Sequence, residues 1–178
     1  MNAFAVSGFW NGLTHPILGV DHLIAMVAVG VVSAKLGRRA LWAVPSAFVI
    51  AMAAGGIAGL SGFVLTQAEQ WIAASLIALG GVVALNRAAL ARHSTLVSTA
   101  SLAFVMIFGA AHGNAHGLEI PETAGPIGFA AGFLSGTSLL HLAGVGIGML
   151  SERWIAVSVP VRIAGVFAVA LGGGLSVR

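Results

Sequence analysis

Residues 15–34 read HPILGVDHLIAMVAVGVVSA. This stretch decides the fold, because it sets two histidines and an aspartate inside a run apolar enough to cross a bilayer. A spanning helix needs about 20 such residues at about 1.5 Å each. An ionisable side chain at that depth costs roughly 2.5–3.5 kcal/mol on insertion scales and therefore marks a pathway or a site. Five further apolar runs follow, so the spans expected are 16–34, 40–65, 71–91, 95–116, 124–150 and 154–177. Only helices or closed barrels satisfy their backbone in lipid, and these runs are continuous rather than alternating. The expectation is an all-α integral membrane protein, a single domain over 1–178 forming a compact bundle of about six helices.

The composition agrees. The chain is 58% hydrophobic and only 7% charged, with a mean hydropathy of +1.03, which is too little polar surface to coat a soluble globule. The high isoelectric point rests on eight basic against five acidic residues with no basic patch, so nucleic acid is not a partner. With no cysteine, disulfides and thiolate metal sites are excluded.

Residues 3–14 are apolar but too short to span and lack the basic start of a secretory leader, so an interfacial or re-entrant segment is expected there. Pro16 suits a first helical turn, which would start the first span at Pro16 with His15 at its N-terminus. Lys35, Arg38, Arg39, Arg87, Arg92 and Arg153 fall in alternate connections, while Glu69, Glu119 and Glu122 occupy the others. The positive-inside rule then puts those basic residues in the cytoplasm and both termini outside. Arg162 can snorkel to the cytoplasmic interface, and Arg178 is the exception outside. Gly55 with Gly59, Gly109 with Gly113 and Gly117, and Gly128 with Gly132 and Gly136 repeat every four residues, as close helix contacts require.

Two constellations carry chemistry. Seven residues separate His15 from His22, about 700° of helical rotation, which places them on nearly one face with Asp21 beside them and Met26 a turn beyond. A carboxylate between imidazoles is a cation site; the alternative for Asp21 is a helix cap or an ion pair, but no Lys or Arg lies nearby. In AAHGNAHGLE, residues 110–119, His112, His116 and Glu119 share one stripe if the helix continues, and Gly113 and Gly117 let a second helix approach. Surface or haem-ligating histidines show the same spacing. His141 shares a face with Thr137, Ser138, Gly144 and Gly148, and is either a ligand or a satisfied core histidine. His93 reads as an exposed loop residue. Along the bundle axis, His15, His116 and Glu119 should lie at the outer face, Asp21, His22 and His112 about 6–10 Å in, and His141 about 20–25 Å in. Such a descending series suits translocation better than a static site. Imidazole with carboxylate suits nickel, cobalt, zinc or copper(II), and the scattered methionines, Met26, Met52, Met106 and Met149, read as packing.

These residues, HPILGVDHLIAMVAVG, HGNAHGLE and the GF…LLHLAG stretch of the fifth span, resemble the HupE/UreJ family of nickel permeases in order over nearly the whole chain. The resemblance implies a bacterial inner-membrane protein, not an enzyme, that imports Ni2+ as its substrate, with Co2+ or Zn2+ as alternatives and no organic cofactor. Its implied partners are the divalent ion, the lipid bilayer and, indirectly, urease or hydrogenase maturation proteins; a homo-oligomer is compatible with it. The metal residues it implies are His15, Asp21, His22, His112, His116, Glu119 and His141. Family members typically carry a cleavable leader, which these residues do not show. A bis-histidine haem redox protein, with a pair such as His22 and His112, and a membrane metallo-hydrolase are the competing readings.

Overall fold

In the computed structural model, which describes residues 3–86, 89–90, 94–120 and 125–177, every regular element is an α-helix. They are α1 (Ala3–Leu18), α2 (Val20–Leu36), α3 (Ala40–Leu60), α4 (Ala68–Ala84), α5 (Ser94–Leu118), α6 (Pro126–Ser151) and α7 (Ile155–Ser176). Arg87, Arg92, His93, Glu122 and Arg178 lie outside the described residues. Helices α3, α6 and α7 are long and apolar enough to cross a membrane, and α1 with α2 forms a fourth, broken unit bent by 84°. The protein is a multi-pass membrane bundle. At 17 residues α4 is about 25 Å long, and α5 is diluted by its serines, Asn114 and two histidines.

The first helix departs from the sequence expectation. The chain does not enter its span at Pro16; His15 and Pro16 occupy the last turns of α1, and the break falls at Gly19. Gly19 has an extended backbone (φ −86°, ψ 114°), which ends one helix and lets Val20 begin the next. His15 and His22 therefore sit on two helices across a bend and do not share a helical face. Other boundaries move too: α3 stops at Leu60 rather than 65 and α4 at Ala84 rather than 91, and Gly62, at φ 85°, takes the chain into the turn that leads to α4.

Helices pair through glycine. On α5, Gly109, Gly113 and Gly117 lie on the backbone of α3 at Phe48, Met52 and Gly56. Gly132 and Gly136 of α6 receive the α1 backbone at Phe9 and Leu13, and Gly144 and Gly148 receive α2 at Val27 and Val31. Gly80 and Gly165 join α4 to α7 in the opposite sense. Without Cβ atoms the backbones come into van der Waals contact, which replaces the hydrophobic drive that helices lack between themselves in lipid. Met26, Val29, Val32, Phe48 and Val105 fill the interior at 0% exposure, with Met52 at 1%.

Lys35 is a second departure. Rather than standing in a polar connection, it is 5% exposed and its Nζ donates to the Leu85 carbonyl at 2.8 Å, while Arg162 Nε donates to the Ala84 carbonyl at 2.9 Å. Two cations from α2 and α7 thus satisfy carbonyls left open at the C-terminus of α4, where the helix dipole favours positive charge.

Candidate metal-conducting site

The bend at Gly19 creates the site. It turns the start of α2 toward the end of α5, so that Nε2 of His22 lies 2.9 Å from Nε2 of His116. On its other side, His22 Nδ1 donates to Asp21 Oδ1 at 3.0 Å, which holds the ring with its Nε2 facing His116. Asp21 orients the ring while its carboxylate also engages backbone amides in the first turn of α2, and the nitrogen pair it supports is held jointly by α2 and α5.

His116 is buried, with its Nδ1 3.5 Å from the Glu119 carboxylate, an ion-pair separation without a hydrogen bond. Helix α5 ends at Leu118, so Glu119 reaches back from just past the last turn, with its amide on the His116 carbonyl. The Glu119 side chain is 64% exposed, the most open group of the cluster.

From there the imidazoles form a ladder. His15 meets His116 edge to face with ring centroids 4.7 Å apart, and both rest against Phe133. His22 touches His116 at 4.8 Å and His112 at 5.2 Å. His112 Nδ1 donates to the Phe108 carbonyl at 2.8 Å, so its Nε2 holds a lone pair, fully buried and without a hydrogen-bond partner. Phe48 comes next, with its ring 5.7 Å from that of His112 and 5.1 Å from that of His141, so it stands between them. Neither ring nitrogen of His141 has a hydrogen-bond partner among the described residues.

The sequence expectation placed His116 at the outer face and His22 a turn or more deeper; the structure sets them level and in contact, because α2 begins only after the bend. Among the described residues no three His, Asp or Glu side chains converge on one metal position. The donors are arranged along a line, one or two at each level.

Sequence reasoning missed Phe48, read Met52 as packing alone and placed Thr137 only on the face of His141. Phe48 is one of nine phenylalanines and nothing in its surroundings marks it. Met52 and Thr137 meet deep in the bundle, where the Thr137 hydroxyl points to Met52 Sδ at 3.9 Å. Asn114, by contrast, stands between the two histidines of HGNAHG and could have been singled out. Its side chain grips the 61–67 connection, with Nδ2 donating to the Phe63 carbonyl at 2.8 Å and Oδ1 accepting from the Leu65 amide at 2.7 Å. Asn114→Ala should lower stability by about 1–3 kcal/mol, since it strands two backbone groups. Thermal unfolding in detergent, with faster proteolysis near residue 63, is the check, and an unchanged melting temperature would contradict it.

Comparison with known proteins decides the family. The family model described as HupE / UreJ protein matches residues 1–175. The chain belongs to the HupE/UreJ family. It is 42% identical over 166 residues to the Protein HupE of Rhizobium leguminosarum bv. viciae, covering 93% of this chain and 82% of that protein. No solved structure matches. The HupE/UreJ assignment covers all three motifs, and the bend at Gly19 lies within the first of them.

Proposed function

We propose that this protein is a permease for nickel, or for its close neighbour cobalt, that carries the ion across the inner membrane of a bacterium to supply urease or hydrogenase maturation. The observation that carries this reading is the His22–His116 nitrogen pair with Asp21 behind it. Two imidazole nitrogens this close, backed by a carboxylate, can begin the shell of a borderline divalent cation once the proton between them leaves. Two protein ligands leave the remaining positions to water, so the ion is held without being trapped, as conduction requires.

With His22 neutral and its Nδ1 donating to Asp21, the hydrogen between the two Nε2 atoms belongs to His116. A cation taking both lone pairs displaces that proton, which either leaves or moves to His116 Nδ1 beside Glu119. Glu119 and His15 form the mouth, His22 and His116 the first dehydrating station, His112 the next, and His141 the station beyond Phe48. The basic residues at the opposite end favour a cytoplasmic exit there, with both termini outside.

The haem reading is disfavoured by the same geometry. A haem iron between two axial imidazoles sets their nitrogens about 4 Å apart with the macrocycle between them, and the His22–His112 rings meet edge to face at 82°. The test of the permease reading is uptake of radioactive nickel by proteoliposomes, with cobalt and zinc as competitors. Saturable uptake that cobalt inhibits more strongly than zinc is expected; uptake no faster than in protein-free vesicles would overturn the reading.

A further inference from the structure

A groove of about 380 Å³ opens sideways between α3 and α6, and its innermost residue is His141. Leu41, Trp42, Pro45, Ser46 and Ser138 are among the residues along it. Its other end is at the basic face: Leu41 and Trp42 follow Arg38 and Arg39 directly, and Trp42 is 70% exposed, as befits an aromatic side chain at a membrane interface. His141 stands ten residues above the end of α6 at Ser151, about 15 Å along the helix. The groove therefore spans the distance between the last histidine of the ladder and the basic face.

Val49, Ile50 and Leu142 give the groove mostly apolar walls, and its polar groups gather at the inner end and along one edge. His141 is 1% exposed, yet both its ring nitrogens lack a hydrogen-bond partner. Pro45 has no N–H to give the Leu41 carbonyl one turn earlier, so that acceptor is free of its helical donor. Ser46 presents an exposed hydroxyl, and the Ser138 hydroxyl is spent on the Leu134 carbonyl. Unpaired polar groups at membrane depth are tolerated only where protein buries them or water reaches them. Protein shields His141, but its two nitrogens still lack the partner that buried polar groups require, and water in the groove would supply one.

We infer that the α3–α6 groove is a water-filled vestibule through which a divalent cation passes between His141 and the basic face of the protein. The assignment of the cation rests on the permease reading; the presence of water does not.

The chain has no cysteine, so single thiols can be introduced cleanly. Ser46→Cys and Ser138→Cys would be treated with a membrane-impermeant cationic methanethiosulfonate in sealed vesicles of each orientation, with Leu139→Cys, an outward neighbour at 60% exposure, as the lipid-facing control. A thiol reacts as its thiolate and so needs water. Both serine-site thiols should react at least tenfold faster than Leu139→Cys, and only when the reagent meets the basic face. Nickel chloride should slow Ser138→Cys, and His141→Ala should remove that protection. A Ser138→Cys thiol as inert as the control would overturn the vestibule, as would oxidative cross-linking of Ser46→Cys between copies without labelling. Labelling at both sites without nickel uptake by the unsubstituted chain would sustain the vestibule and overturn the permease reading; uptake with inert thiols would do the reverse.

Discussion

Replacing His22 by alanine should abolish nickel uptake, while Asp21→Asn should lower it about 10–100-fold, the usual cost of losing the group that orients a metal-binding histidine. The difference follows from position. His22 supplies one of the two nitrogens 2.9 Å apart, whereas Asp21 touches only the far side of the ring through Nδ1. An asparagine at position 21 retains a carbonyl oxygen that accepts from Nδ1 but removes the negative charge that favours a cation. Glu119→Gln should do least, because that carboxylate is largely exposed and 3.5 Å from its histidine. Flux into proteoliposomes, with melting temperatures to confirm folding, measures the series. Unchanged flux in His22→Ala would remove the basis of the proposed pathway.

The second large effect is mechanical. A Cβ at Gly113 would collide with the Met52 carbonyl oxygen and come within 2.8 Å of the Gly56 nitrogen. These are backbone atoms, which cannot rotate aside, so α5 must move away from α3. Overpacking costs typically about 1–3 kcal/mol, and Gly113→Ala should sit at or above the top of that range. Displacing α5 also carries His112 and His116 away from His22, so uptake should fall with stability. Gly81→Ala is the matched control. Nothing lies within 4 Å of a Cβ there, and the gain in helix propensity should stabilise by about 0.5–1 kcal/mol. Detergent melting curves of the two variants should diverge in opposite directions, and equal melting temperatures would refute the assignment of Gly113 to the helix contact.

Much of this was legible beforehand, and the reasons differ from residue to residue. Continuous apolar runs name helices because lipid leaves the backbone no other choice, and the four-residue glycine spacing on α5 names a contact because only absent side chains permit it. The site residues were conspicuous because histidine, aspartate and glutamate are expensive in such segments. The start of α2 was misplaced because Pro16 satisfies equally well a first turn or, as here, a helix whose interior tolerates it, and the break belongs to Gly19 instead. Lys35 looked like a loop cation because its acceptor, Leu85, is fifty residues away.

The sequence by itself determined that this is an apolar helical protein with histidines and acids at depth, since solvent compatibility and insertion cost act on each segment alone. Only the tertiary structure decided which nitrogens face one another. The pairing of His22 with His116, the place of Phe48 between His112 and His141 and the groove beyond it depend on one bend and on three glycines that let two backbones touch. Those are relations between segments, and local periodicity does not encode them.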